Sequence, residues 1–316
     1  MLVLVTGATG FLGSRVVRQL QAHGHDVRCL VHTPGRERLF PERTVDVHYG
    51  SVLDLNALSE LLYDVGGVIH LVATIRQFKG TTYDLVNRQG VANMVAAARN
   101  HGVKHFIQVS ASGATGDPAY PYLYSKWRGE REVVEGDVPY TIIRPSLMFG
   151  EGDGFLNPLA GLTKVLPVVP VVGSGRNRFQ PIAVEDAARC VVSAVDREDL
   201  KGKTIEIGGP EQLSYNEIMA IVARTMGKRR LRIPLPVWLV YLAAATLGRF
   251  QKRPLATADQ LRMLAIRNVA ELGTVEHTFG FTPRTLEGNI EYVKSIGFGE
   301  GLRVAMGSMP SSIRDH

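Results

Sequence analysis

Cysteine is scarce: Cys29 and Cys190 are the only two in 316 residues. Both lie in apolar runs, which predicts buried thiols rather than a disulfide or a metal pair. The nine histidines form no cluster with them at the spacing of a metal site, so no metal is expected. A reducing compartment, the cytoplasm, is the default. The opening MLVLVTGATG has no basic leader and runs directly into a glycine turn, which predicts no signal peptide. The longest uncharged apolar stretch, 233–248, is 16 residues and carries two early prolines. That falls short of the ~20 residues of a spanning helix. No internal repeat stands out beyond alternating strand and helix patterns.

Acidic charge is the other shortage. The formal net charge is +6, and the excess is local: residues 201–253 hold ten Lys or Arg against three Glu. No nucleic-acid recognition motif accompanies this charge, so no nucleic-acid partner is expected. An anionic cofactor or a membrane surface fits better. Arg229, Arg230 and Arg232 precede the 233–248 run, and Arg249, Lys252 and Arg253 follow it. Segment 229–253 therefore reads as a peripheral membrane contact on the inner face, a helix packed internally, or a contact with a protein or membrane complex. The oligomeric state stays open.

Hydrophobic residues make up 45% of the chain, enough for a sizeable core. The first half alternates apolar strands with amphipathic helices. Strands are predicted at MLVLV, DVRCLV, VDVHYG, GVIHLVA, KHFIQVSA and YTIIRPSLMFG. Helices are predicted over FLGSRVVRQLQAHG, DLNALSELLYDV, NRQGVANMVAAARNHG and YSKWRGEREVVEG. This pattern predicts an α/β fold, a Rossmann-type doubly wound parallel sheet with a smaller, mostly C-terminal substrate-side domain. Residues 1–150 form the expected nucleotide-binding domain, with 179–198 returning to it. Residues 151–178 and 199–302 are expected on the substrate side, and 303–316 as a mobile tail.

Gly7, Gly10 and Gly13 in TGATGFLG are spaced G-x-x-G-x-x-G between the first strand and its helix. Gly7 permits the sharp turn, Gly10 lets a pyrophosphate approach the backbone, and Gly13 permits close helix–strand packing. Thr9, Phe11 and Leu12 complete the cradle, and the helix N-terminus faces the phosphates. After the second strand, VRCLVHTPGRERL places His32, Arg36 and Arg38 where an NAD-selecting chain usually has an acid. An arginine there matches a 2′-phosphate, so NADP is favoured over NAD, unless Arg36 and Arg38 are merely solvated. Asp54, followed by Leu55, either accepts from the adenine amino group or caps the next helix. Ala73 and Thr74 end strand four near the expected nicotinamide ribose. Asn87 opens the next helix as an orienting group or a cap.

Tyr122 and Lys126 are four apart and share a helix face. A nearby ammonium lowers a phenol's pKa, and a lysine also grips ribose hydroxyls. Tyrosine then moves the proton that accompanies hydride transfer. Ser110, Ser112 and Thr115 are candidates for steadying the substrate oxygen. Each is equally able to bond its own turn.

These pieces, with GSVLDL, VNRQGVANMVAAA, FIQVSASGATG and IIRPSLMFG, resemble the short-chain dehydrogenase/reductase superfamily. The likeness is to its extended and atypical, NAD-dependent epimerase/dehydratase-like members. RPSLMFGEGDGFLNPLAGL and FGFTPRTLEGNI are most similar to the group of the complex I 39-kDa accessory subunit. The resemblance implies Tyr122 as acid/base, Lys126 as ribose holder, and Pro145 lining the nicotinamide side. One departure stands out: Ala111 occupies the position where this family usually has Ser or Thr. Either neighbouring serine, Ser110 or Ser112, replaces it only through a local shift, and Ser110 is taken as the catalytic candidate. The apolar FLNPLAGLTKVLPVVPVVGSG, with Arg176 and Arg178 behind it, reads either as the wall of a site for a hydrophobic small-molecule substrate or as internal packing. Three functions follow. The first is an NAD(P)-dependent oxidoreductase for a quinone-like, isoprenoid-like or other hydrophobic carbonyl or alcohol. The second is a non-catalytic nucleotide-binding accessory or assembly protein of a membrane respiratory complex. The third is a nucleotide-sugar epimerase or dehydratase.

Overall fold

The computed structural model describes residues 1–40, 44–78, 80–236, 238–240, 242, 257–263 and 268–309. Two compact units emerge. The first comprises Met1–Pro145 and Val184–Ile207; the second comprises Ser146–Ala183 and the described residues from Gly208 to Met309.

The first unit is built on seven strands: β1 (Leu2–Thr6), β2 (Asp26–Val31), β3 (Asp46–Tyr49), β4 (Gly67–His70), β5 (His105–Val109), β6 (Tyr140–Pro145) and a late strand, Lys203–Ile207. The order across the sheet is late strand, β6, β5, β4, β1, β2, β3, and every pair is parallel. Strands one and four are neighbours, so the chain reverses its winding between them. The carboxyl ends of these two strands are where such sheets take ligands. Both faces are covered, which is why the strands are apolar runs rather than alternating ones. On one face α1 (Gly13–Ala22) packs beside Val184–Ser193. On the other, α2 (Leu55–Leu61), α3 (Gly90–Asn100) and α4 (Pro121–Val134) bury Leu58, Leu61, Met94, Val95 and Val133 against Leu4, Val68, Phe106 and Ile142. Helix α3 is entered through a π-helical stretch, Asp84–Gln89.

The assignment of 199–207 to the substrate side is corrected. Lys203–Ile207 pairs with β6 along its full length and closes the sheet edge. Its short apolar alternation gave no sign of its partner, because pairing over some sixty residues is a tertiary choice.

In the second unit, α5 (Leu156–Val165), β7 (Val168–Val172), α6 (Tyr215–Thr225) and β8 (Leu231–Leu235) surround a core of Leu156, Leu159, Val169, Val171, Ile218 and Val222. Leu156, Leu159, Ala160, Val169 and Val171 of the apolar 155–175 stretch therefore pack inward. Helix α6 starts at a capping box, with Ser214 accepting from the Glu217 N–H and the Glu217 carboxylate accepting from Ser214. The expectation of a mobile tail over 303–316 is corrected for its first residues. Residues 303–305 complete α7 (Phe298–Ala305), which packs on α5 through Gly161 and Gly301. Val304 and Met309 are buried. Positions 310–316 lie outside the described residues, as does most of the predicted 229–253 contact segment beyond residue 242.

Cys29 and Cys190 are buried free thiols, and burial pushes Cys29 up to about 12. Among the described residues no cluster of three His, Cys, Asp or Glu stands ready for a metal. Among them also, no helix is long and apolar enough to cross a membrane.

Candidate active site

The glycine turn is close-packed. Gly7 has φ +72°, a left-handed conformation that glycine adopts without strain, and a Cβ there would sit 3.1 Å from the Leu71 and Val72 backbone. A Cβ on Gly13 would lie 2.1 Å from the Gly7 carbonyl oxygen. The Gly10 N–H donates to Gly7 at 2.9 Å, and Ser14 N–H to Gly10 at 3.1 Å, which folds the turn onto α1. Thr9, Gly10 and Phe11 are half-buried, while Leu12 and Gly13 are buried. Arg15 Nη1 donates to the Phe11 carbonyl, and its guanidinium lies 5.0 Å from the Phe11 ring centre. No side chain caps α1, and no acid stands in its first turn. The Ser14, Arg15 and Val16 N–H groups bond the Gly10 and Leu12 carbonyls, and no carboxylate of the helix competes there with an anion.

Asp54 caps α2, accepting from Asn56 N–H at 3.1 Å and Ala57 N–H at 3.3 Å. Asp54 and Leu55 are both exposed. His32 and Arg36 are exposed beyond β2, and neither has an ion-pair partner among the described residues. Arg28 turns elsewhere: it donates to the Asp46 carboxylate and to the Leu61 and Tyr63 carbonyls. In the same turn, Glu37 accepts from the Gly35 N–H at 2.7 Å.

Asn87 is neither a cap nor a free orienting group. It is buried in the π-helical stretch and works as a clamp. Its Oδ1 accepts from Thr74 N–H at 2.8 Å; its Nδ2 donates to the Thr74 carbonyl at 3.0 Å and to Ser125 Oγ at 2.9 Å. Ser125 Oγ donates in turn to the Tyr122 carbonyl. One amide thus ties the strand-four loop, from half-buried Ala73 to buried Thr74, to the first turn of α4. Gly129 makes the approach possible, because a Cβ there would lie 2.3 Å from the Asn87 carbonyl oxygen. A glycine inside a helix was the available sequence signal.

Tyr122, Lys126, Gly129, Glu130 and Val133 form the buried stripe of α4. Tyr122 meets Tyr83 edge-on at 5.9 Å between ring centres. Lys126 is 3% exposed, and its Nζ donates to the Val109 carbonyl at 2.8 Å. Burial pulls Lys126 down to about 8, opposed by Glu130 on the next turn. Glu130 is itself held by Arg144 of β6, at 2.8 Å from Nε and 2.6 Å from Nη2. The expected depression of the Tyr122 pKa is corrected: burial pushes it up to about 12. The ammonium is aimed at a backbone carbonyl, and desolvation governs the phenol.

Beneath the pair runs a polar row set by strand register: Thr6 opposite His70, and His70 opposite Gln108. Thr6 Oγ1 and His70 Nδ1 share a hydrogen bond of 2.8 Å. Burial, with the Lys126 ammonium nearby, pushes His70 down to about 3, so it stays neutral. A lone histidine in the apolar GVIHLVA was visible in the sequence, but its partners were not. Ser110 is buried, and its Oγ has no hydrogen-bond partner among the described residues. Ser112 is buried, and its N–H donates to the Pro145 carbonyl at 3.0 Å, bringing the strand-five loop against the end of β6. Ala111 is half-buried between the two serines.

Residues 3–208 match the model of the NAD dependent epimerase/dehydratase family. The chain belongs to this family. Ceramide reductase of Caulobacter vibrioides is 34% identical over 74% of this chain and 73% of its own length. The mitochondrial NADH dehydrogenase [ubiquinone] 1 alpha subcomplex subunit 9 of Arabidopsis thaliana is 30% identical over 74% of this chain. The match spans 60% of that plant subunit. Among solved structures, a UDP-glucuronic acid 4-epimerase of Bacillus cereus, in complex with UDP-4-deoxy-4-fluoro-glucuronic acid and NAD, superposes with a TM-score of 0.73. It is 21% identical and covers 93% of this chain and 99% of its own, a likeness of fold.

Proposed function

We propose that this protein is an NAD(P)-dependent oxidoreductase that reduces an apolar carbonyl compound, with NADP as the preferred cofactor. The observation that carries the reading is the buried Tyr122–Lys126 pair on α4, with Lys126 bonded one residue before the unpartnered Ser110 hydroxyl. The surrounding residues fit a dinucleotide. The glycine turn leaves no room for a Cβ at Gly13, and the α1 N-terminus is uncapped and free of acid. The cofactor supplies hydride. The chain supplies the rest. Gly7 to Gly13 hold the pyrophosphate. Lys126 turns from Val109 toward ribose hydroxyls, and the Val109 carbonyl keeps a second donor, Gln108 Nε2, at 3.2 Å. Tyr122, held protonated by burial, donates its proton to the substrate oxygen, and the Ser110 hydroxyl steadies that oxygen. Arg36 grips the 2′-phosphate. The ceramide reductase relative supports a lipid-like substrate.

A second reading, a nucleotide-holding accessory protein of a membrane complex, is favoured by one observation. Lys126 is committed to a backbone carbonyl and does not activate Tyr122. The plant relative, a respiratory-complex subunit, points the same way. The test is NADPH and NADH binding, then NADPH oxidation with a panel of long-chain ketones and ketoamides. Tyr122→Phe is expected to cut turnover about 10²-fold or more with nucleotide affinity retained. Turnover that survives Tyr122→Phe refutes the assignment. Tight nucleotide binding with no turnover by the unaltered protein selects the accessory reading.

A further inference from the structure

An exposed patch in the second unit is independent of the nucleotide site. Among the described residues, strand β8 is paired with β7 alone. Its Leu231 and Ile233, two apart and therefore on one face, are 72% and 49% exposed. Pro236 then starts a turn, accepting from the Leu239 and Val240 N–H groups. Trp238, on that turn, is 67% exposed. Large apolar side chains clustered within eight residues of chain mark a surface that something covers.

The same segment is cationic. Lys228, Arg229, Arg230, Arg232 and Arg224 line a cavity of about 200 Å³ whose floor includes Val169, Met219 and Ala223. No acid is among the lining residues. Three of the cations are fixed in place. Arg230 Nε donates to the Thr163 carbonyl at 2.8 Å, Arg232 Nη1 to the Asn216 carbonyl at 2.6 Å, and Arg224 pairs with Glu287 at 2.9 Å. Lys228 and Arg229 have no ion-pair partner among the described residues. The stretch 228–239, KRRLRIPLPVWL, contains no acid, amide or hydroxyl side chain. Protein interfaces surround their apolar centres with a mixed polar rim. Cations of one sign beside aliphatic and indole side chains instead match a fluid anionic surface with an apolar interior.

We propose that residues 228–236 and Trp238 dock this protein peripherally on a bilayer carrying anionic phospholipid. Leu231, Ile233 and Trp238 enter the boundary between headgroups and acyl chains, and Lys228, Arg229, Arg230 and Arg232 contact lipid phosphates. The proposal does not rest on the oxidoreductase reading, and the two fail separately.

The test is flotation of the full chain with vesicles of pure phosphatidylcholine and of phosphatidylcholine with 30% phosphatidylglycerol as the anionic lipid probe. Binding to the anionic vesicles is expected to exceed binding to the neutral ones about tenfold or more, and to weaken sharply in high salt. The double variant Lys228→Glu/Arg229→Glu is expected to lose about tenfold on anionic vesicles, and Trp238→Ser several-fold. Thermal melts of both variants serve as the folding control. Should the double variant misfold, the salt dependence of the unaltered protein and Trp238→Ser still decide. Equal recovery with both vesicles, no recovery with either, or indifference to both variants overturns the proposal. So does a concentration-dependent dimer, split by Trp238→Ser, in a protein that binds no vesicles; that result assigns the face to a second copy of the chain.

Discussion

Lys126→Met is expected to stabilise the nucleotide-free protein while weakening nucleotide binding. Lys126 is almost fully enclosed, and burial lowers its pKa from 10.5 to about 8. Holding its proton in the folded state therefore costs ~3 kcal/mol relative to the unfolded chain. Methionine of similar volume removes that cost. It also removes the bond to the Val109 carbonyl, a loss of about 1 kcal/mol that is softened because Gln108 Nε2 still donates there. Glu130 is not stranded, since Arg144 grips it through two nitrogens. The net gain at pH 7 is about 2 kcal/mol, or roughly 3 °C in Tm for a chain of this length. The pH dependence has a definite sign. Below about 8 both states of the unaltered protein hold the proton, and the penalty is complete. Between about 8 and 10.5 the unfolded chain binds more protons than the folded one, so the unaltered protein gains stability as pH rises and the variant's advantage shrinks. Thermal melts of both proteins from pH 7 to pH 10.5, without nucleotide, measure this. A variant that melts lower at pH 7, or an advantage that stays constant across the range, refutes the reasoning. Dinucleotide affinity of the same variant is expected to fall about tenfold or more, the trade between stability and function that a buried charge implies.

Two further substitutions probe the site. Arg36→Asp is expected to reduce the NADPH-over-NADH affinity ratio about tenfold or more, by removing the guanidinium and repelling the 2′-phosphate; an unchanged ratio in titrations would make Arg36 a solvated loop charge. Gly129→Ala puts a Cβ 2.3 Å from the Asn87 carbonyl oxygen, whereas a Cβ on Gly154 meets nothing within 4 Å. Gly129→Ala is expected to cost about 1–3 kcal/mol in denaturant unfolding and Gly154→Ala close to nothing, so equal effects would contradict the packing described for α4.

Much of the first unit was legible in the sequence because its signals are local. Six apolar runs, the helices between them and the glycine turn follow from side-chain periodicity and from where glycine alone fits. The parallel sheet follows from the alternation itself. Tyr122 and Lys126 sit on one helix face at a spacing the chain displays openly. Ser214 with Glu217, and Asp54 before α2, announce their helix starts through capping chemistry.

What tertiary structure alone decided is whatever depends on a distant neighbour. Lys203–Ile207 could join any sheet edge, and pairing with β6 chose one. The 155–175 stretch is apolar whether it lines a site or fills a core, and contact with α6 and α7 placed Leu156, Leu159, Val169 and Val171 in the core. Asn87 reads as a cap until Thr74 and Ser125 arrive from other elements to use both ends of its amide. Sequence proximity suggested that Lys126 would acidify Tyr122. Burial decided the opposite direction, because the ammonium found a carbonyl and the phenol lost its water. Residue type and spacing thus determined which groups are available for chemistry, while desolvation and long-range pairing, which no local pattern encodes, determined their protonation and their partners.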